Sequence, residues 1–281
     1  MERNAIRCSV QIGVLVVGLA MAAPTFAAGL DLTRTQPRPA SALGSIQIRS
    51  LGNLVCGGGW ETTIVLMDLG PTPVSFQQSF FGNDGQPASF SVRKQGDTGS
   101  VPATVVEGTV GPNGTVAFTL PDEGSSMQQG WSLLTFGGTL NQLSGYAILR
   151  HAAVGGSTSE TTLSFSGMQD FSARVQFDNT AGFQTQLTIV NPASNLPALI
   201  RLTYFDTAGQ MLLLDTITVN PGEQTSVNLP NTYPDLAGKT GSVGVLASTN
   251  VLAITGLRIN PASGAISSIP VMDLVSGINL E

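Results

Sequence analysis

The sequence predicts an all-β protein made of two tandem antiparallel β-sandwiches. Three observations carry that expectation: the exported part is written twice, its apolar runs alternate with period two, and turn-forming pairs separate those runs. The duplication is the most specific of the three. Trp60-Glu61-Thr62-Thr63-Ile64-Val65-Leu66 and Phe80-Phe81-Gly82-Asn83-Asp84-Gly85-Gln86 in the first copy correspond to Phe183-Gln184-Thr185-Gln186-Leu187-Thr188-Ile189 and Tyr204-Phe205-Asp206-Thr207-Ala208-Gly209-Gln210 in the second. The run from Val110 to Pro121 is echoed from Val219 to Pro230, and Leu143–Ile148 by Ile254–Ile259. The matches keep their order at offsets of 109 to 124 residues. That period is a domain length, too long for a solenoid repeat.

The alternation assigns strands in order. Phe183, Thr185, Leu187 and Ile189 form one face, with Gln184, Gln186 and Thr188 on the other. Ala198, Ile200, Leu202 and Tyr204 repeat the pattern, followed by Val227 with Leu229 and Val243 with Val245. Such alternation places one face in a core and the other toward water. No segment of the exported part sustains an i, i+3, i+4 stripe over three turns. Asp84-Gly85, Asn113-Gly114, Ala208-Gly209 and Pro221-Gly222 each lie between strand-like runs, where Gly or Asn supplies the positive φ of a tight turn. Seven or eight strands per copy, spaced by roughly 8–12 residues, are the pattern of a β-sandwich.

The beginning of the chain reads as a secretory signal over residues 1–27. Arg3 and Arg7 precede an apolar run from Ile12 to Ala23, and Thr25-Phe26-Ala27 offers a small-residue cleavage site. The run is shorter than the roughly 20 residues of a membrane span. Residues 28–43, with Arg34-Thr35-Gln36-Pro37-Arg38-Pro39, read as a flexible leader. Residues 44–168 and 171–281 are the two sandwich repeats, and the short join between them predicts that they touch. The expected location is periplasmic or extracellular, with no membrane span after signal cleavage.

Without residues 1–27 the chain keeps 10 Lys and Arg against 17 Asp and Glu, a net charge of −7. Only two of the basic residues are lysines, Lys94 and Lys239. That balance lacks the basic footprint of a nucleic-acid binder. Charged residues are 11% of the sequence against roughly 25% in an average domain, while apolar residues reach 42% in short periodic runs. Cys8 falls in the signal, so Cys56 is the one cysteine of the exported part and no internal disulfide can form. It reads as a small apolar core residue, an intermolecular disulfide being the alternative.

Three motifs carry a resemblance: the strand that starts Gly58-Gly59-Trp60-x-Thr62-Thr63 and runs on to Leu66, the Phe80-Phe81-x-x-x-Gly85 turn, and Pro221-Gly222 before a strand. With them the chain resembles a group of uncharacterised exported bacterial proteins with tandem immunoglobulin-like domains. The resemblance covers residues 44–275 and implies an immunoglobulin-like fold for each sandwich. Its motifs are turns and core strands, so it implies no activity, cofactor or ligand set. Neither copy has the Cys–Trp–Cys set of an antibody-type domain.

The chemistry-bearing residues are few. His151, the single histidine, matches Ala262 in the second copy, and no Gly-x-Ser-x-Gly elbow accompanies it. One Cys and one His are too few for a zinc site. Asp84, Asp178, Asp206 and Asp215 lie near turns but lack the spacing that converges oxygens on calcium. Glu61 beside Trp60, and Glu107 on a strand, are the nearest candidates for the paired carboxylates of a glycoside hydrolase. The expectation is therefore no catalytic residue, no metal and no cofactor.

Duplication separates scaffold from site among the aromatics. Trp60 matches Phe183, Phe80 matches Tyr204 and Phe81 matches Phe205, so these read as core. Trp131 matches Ser242 and is either an exposed stacking platform or a core difference of the first copy. Gln78 aligns with the inward-facing Leu202, which implies a buried, hydrogen-bonded amide or a register shift. The leading expectation is a non-catalytic exported structural or adhesive protein that binds a cell-surface protein or polysaccharide. The alternatives are a carbohydrate-binding module using Trp131 and nearby loops, and a secreted hydrolase.

Overall fold

The structure is a computed structural model that describes residues 30–32, 46–139, 141–152, 158–166, 172–193, 195–248 and 252–274. The expected signal over residues 1–27, and residues 33–43 of the leader, lie outside the described residues. The first part of the chain forms β1 (Leu30–Asp31), β2 (Ile46–Cys56), β3 (Trp60–Asp68), β4 (Val74–Gly82), β5 (Phe90–Lys94) and β6 (Val101–Ala103). It continues with β7 (Val105–Val110), β8 (Thr115–Leu120), β9 (Gln128–Gly137), β10 (Leu143–Ala152) and β11 (Thr158–Ser164). The second part forms β12 (Ser172–Asp178), β13 (Gln184–Val190), β14 (Ala198–Asp206), β15 (Met211–Val219) and β16 (Gln224–Asn228). A short helix α1 (Leu229–Thr232) and a 3₁₀ turn at Pro234–Leu236 lead to β17 (Thr240–Ala247), β18 (Ala253–Asn260), β19 (Ala265–Ile269) and β20 (Val271–Asp273).

These strands make four antiparallel sheets, in the orders β1-β7-β4-β9-β2, β11-β10-β3-β8-β5-β6, β15-β14-β17-β12-β20 and β16-β13-β18-β19. The protein is all-β, as its alternation predicts. The duplication extends to the pairing itself: β7-β4-β9-β2 is repeated as β15-β14-β17-β12, and β8-β3-β10-β11 as β16-β13-β18-β19. Alignment of the two copies puts the register in agreement as well. Phe81 lies opposite Trp131, and Phe205 opposite Ser242. The matched glycines one residue earlier have one physical reason. A Cβ on Gly130 would run into the carbonyl oxygen of Phe81, and one on Gly241 into that of Phe205.

The expected positive-φ turns are present, at Gly85, Asn113, Gly209 and Gly222. The Asp84 carboxylate accepts from the Gln86 amide, and in the matching turn of the second copy Asp206, at the position of Gly82, accepts from the Ala208 and Gln210 amides. Counted without β5 and β6, which the second repeat lacks, the strand order departs from the constant-type immunoglobulin arrangement at the first, fourth and seventh strands. There the first and fourth strands share a sheet with the second and fifth, and the seventh with the third and sixth. Here the first strand of each repeat, β2 or β12, lies beside the sixth, β9 or β17, the fourth, β7 or β15, beside the third, β4 or β14, and the seventh, β10 or β18, beside the second, β3 or β13.

Each part of the chain has its own core. Leu51, Ile64, Phe76, Phe80, Phe90 and Phe118 are among the buried residues of the first, and Val175, Phe177, Leu187, Ile200, Leu202 and Tyr204 of the second. Cys56 packs in the first core as a free thiol. Leu30–Asp31 is not loose leader: it pairs with Gly108 and Glu107 on β7, and Leu30 and Leu32 pack against the first core. Gln78 keeps the register the duplication implies and is wholly buried between Val106 and Leu134 on the neighbouring strands. Neither end of its amide has a hydrogen-bond partner among the described residues.

Candidate functional site at the junction between the repeats

The feature that sets the first copy apart from the second is Trp131, and the structure places it where the two copies meet. It is 2% exposed, so the exposed-platform alternative does not hold. Its ring stacks on Phe81 with centroids 4.4 Å apart and planes inclined by 18°. Its indole Nε1 donates to the Gly222 carbonyl of the second copy at 2.8 Å. Val190 and Ala253 of the second copy complete this small cluster, with Phe81 and Leu133 packed against it.

The second copy shows what the same face does without the indole. Ser242 is too small to cover Phe205, and the Arg174 guanidinium lies over that ring instead, 4.7 Å from its centroid. Cation–π cover of this kind suits a ring that faces solvent. One sheet face is therefore a junction in the first copy and a surface in the second.

Around Trp131 the junction is polar and well bonded. The register of β2 shifts between Leu51 and Leu54, and Asn53 in that bulge adopts φ +61°. Its backbone N–H donates to the Gln224 side-chain oxygen at 2.8 Å. Its own side-chain oxygen accepts from Gln129 at 3.0 Å. Gln224 donates in turn through its side-chain nitrogen to the Asn83 side-chain oxygen, and through its backbone N–H to the Asn83 carbonyl. The two turns bearing Gly85 and Gly222 pack so closely that a Cβ on Gly85 would lie 2.7 Å from the Gly222 backbone. Buried amides bonded at both ends hold a geometry, because any other alignment strands a polar group away from water.

A second seam joins β11 to β19 through side-chain hydroxyls. The Ile266 amide donates to Ser159 at 2.9 Å, and the Ser268 amide to Thr161 at 2.7 Å. His151 lies beside this seam, stacked on Trp60 with centroids 4.1 Å apart and with Nδ1 3.2 Å from the Gly264 carbonyl. Leu257 and Ile266 of the second copy are buried in the first copy's core. Next to the seam is a cleft of about 400 Å³. Thr162, Ser164, Ser166, Thr255, Ser268 and Asp273 supply its polar side chains, and Phe165, Ile254 and Val271 are among its apolar walls.

The remaining candidates are dispersed. Glu61 on β3 pairs with Arg93 at 3.4 Å and approaches Arg150 at 3.9 Å, while Glu107 on β7 accepts from Gln77 at 2.6 Å. Their strands belong to different sheets, and Glu61 is out of phase with the buried Thr62 and Ile64 as Glu107 is with the buried Val106 and Val110, so both face away from the core and the structure does not bring these two carboxylates together. Asp178 pairs with Arg258 at 2.6 Å, and Asp215 accepts from the Tyr233 hydroxyl at 2.6 Å. Burial raises the Asp178 carboxyl pKa, but hydrogen bonds from Thr180 and the Arg258 charge outweigh that effect and leave it below its ordinary value. Among the described residues no three His, Cys, Asp or Glu side chains gather as metal ligands. Burial pushes the Cys56 thiol up to about 11, with the nearby charges of Asp122 and Glu123 adding to the effect.

Asn53, Gln129 and Gln224 escaped the sequence reading, and Asn83 and Gly222 entered it only as turn residues. The one signal pointing toward them was the unpaired Trp131, which marks a position the fold does not require but does not name what covers it. The chain matches no protein-family model, no curated protein and no solved structure.

Proposed function

We propose that this is a non-catalytic exported structural or adhesive protein. In this reading, two variant immunoglobulin-like sandwiches act as one unit that binds a cell-surface protein or polysaccharide. The observation that carries the reading is the junction. The aromatic most available for a ligand is packed between the repeats, and the surrounding amides bond across it. An interface built this way holds two sandwiches in one orientation, which suits a scaffold presenting loops and sheet faces at set positions.

The test is a pull-down from a native envelope fraction with the purified exported chain, alongside a glycan array and a panel of chromogenic glycosides. The reading expects a retained surface protein or polysaccharide and no turnover. Glycoside hydrolysis that disappears in Glu61→Gln or Glu107→Gln would overturn it. A carbohydrate-binding reading is favoured by one observation, the cleft of about 400 Å³ beside the junction, lined by hydroxyls and one carboxylate. On that reading Thr255→Val and Asp273→Asn abolish glycan capture, and Glu61→Gln leaves it unchanged.

A further inference from the structure

Eight large apolar side chains are exposed among the described residues, and four of them share one face. Leu199, Met211, Leu214 and Met272, each 52% to 63% exposed, stand on the outer face of the sheet β15-β14-β17-β12-β20. The register fixes that placement. Leu214, Thr203, Gly244, Arg174 and Met272 pair in one row that crosses all five strands. Phe205 and Ser242 lie in the row on one side of it, Arg201 and Leu246 in the row on the other. The alternate residues, among them Val175, Leu202 and Val243, are in the core. Single exposed leucines are ordinary, but apolar groups gathered on one face mark a contact surface.

The charges in these rows are all positive. Arg174 and Arg201 supply them, in a chain with 12 basic and 18 acidic residues. Asp206, Asp215 and Asp273 pair with Gly241, Leu202 and Ala173, which have the core phase. Asp178, one row further along β12, is paired with Arg258 at 2.6 Å. The fold does not demand the two arginines, since Ser50 and Gln77 hold the matched positions of the first repeat. Trp131 and Leu133 likewise match Ser242 and Gly244. The second repeat has small residues where the first has large apolar ones, and two guanidiniums besides. Arg174 lies on the Phe205 ring, with Nη1 3.5 Å from the Ser242 hydroxyl. Stacking of this kind fixes a guanidinium plane and leaves its N–H edge to a carboxylate.

We propose that this face docks another protein, through a turn or strand end that sets a carboxylate among apolar residues. The inference rests on the proposed function as a binder of a surface protein, and says where and by what chemistry it binds. Arg, Met, Phe and Leu among small polar groups, with no Lys, Asp or Glu, is the composition of a protein interface core. The matched face of the first repeat already receives such an element, the Gly222 turn. There an indole donates to a neutral carbonyl, whereas two guanidiniums suit a charged acceptor. Five strands about 4.8 Å apart make a patch about 20 Å wide, which fits a turn better than a broad domain face. A glycan would stack on Phe205, and Arg174 already covers that ring. An anionic lipid surface is met by clusters of about four or more basic residues, against two on this face.

The experiment is photo-crosslinking of the full chain in a native envelope fraction. Benzoylphenylalanine replaces either Thr203, at the centre of the face, or Leu69, exposed on the first repeat. The expected result is one protein crosslinked from position 203 and not from position 69, through a peptide that contains Asp or Glu. Arg174→Glu, Arg201→Glu and Leu214→Ser, added to the position-203 probe, should each lower the yield about tenfold or more, the usual effect of breaking an interface charge pair or anchor. Their circular dichroism should match the parent. A crosslinked peptide without carboxylates, a yield that both arginine variants leave unchanged, or a crosslink to a second copy of this chain overturns the inference. A surface protein or polysaccharide retained in the pull-down but never crosslinked from position 203 also overturns it, and leaves the proposed function standing. A chain that retains nothing in either experiment overturns both.

Discussion

The indole nitrogen of Trp131 and the carbonyl oxygen of Gly222, 91 residues apart in sequence, are 2.8 Å apart and bonded. That bond ties a strand of the first repeat to a turn of the second. It also explains a sequence difference that the fold of a single repeat cannot, because at the matched Ser242 the neighbouring Phe205 ring is covered by Arg174 of its own repeat.

Trp131→Ala is expected to cost about 3 kcal/mol or more of stability, as the loss of a large buried aromatic usually does. Trp131→Phe keeps the stack on Phe81 but loses the hydrogen bond, at a cost of about 1–2 kcal/mol. Urea denaturation of the full chain checks both. A Trp131→Ala protein as stable as its parent would mean that the junction contributes nothing.

Residues 46–166 and 172–274 expressed separately are expected to keep β-rich circular dichroism, since each has its own core. Each should melt below the intact chain, because separation uncovers Trp131, Leu133, Val190 and Leu257. Trp131 emission in the isolated first repeat should shift to the red. An unshifted spectrum would contradict burial of the indole by the second repeat.

Gln78→Leu should stabilise the protein by roughly 1–3 kcal/mol, the usual cost of an unpartnered buried polar group. Leucine already occupies the matched position, at Leu202, so the shape is compatible with the sheet. A thermal melt decides the matter, and a lower melting temperature would mean that the amide has a structural role.

Stability should fall as pH rises above about 9. The Cys56 thiol ionises near 9 in the unfolded chain and near 11 when folded, so between those values the unfolded state alone releases its proton. The effect is on the order of 2 kcal/mol and is absent below pH 9. Tyr233 acts in the same direction, since burial and then its hydrogen bond to Asp215 raise it from 10 to about 12. Denaturation of Cys56→Ala from pH 8 to 11 should show a shallower decline than the parent. Equal slopes would refute the assignment to this thiol.

The fold class and the equivalence of the repeats were legible in the sequence because they rest on local rules. Period-two alternation assigns each residue to a face, and Gly or Asn at Gly85, Asn113, Gly209 and Gly222 marks each reversal. Aligning the copies set Phe81 with Phe205 and Trp131 with Ser242, and the cross-strand pairs Phe81 with Trp131 and Phe205 with Ser242 keep that equivalence. Alternation names a face but not what lies on it. The placement of the first, fourth and seventh strands, the cover over Trp131 and the partners of Gln224 therefore had to come from tertiary structure. Asn53 and Gln224 meet across 171 residues of chain, through a bulge in one repeat and a strand start in the other. No local pattern encodes such a contact, because it depends on how two finished sandwiches settle against each other.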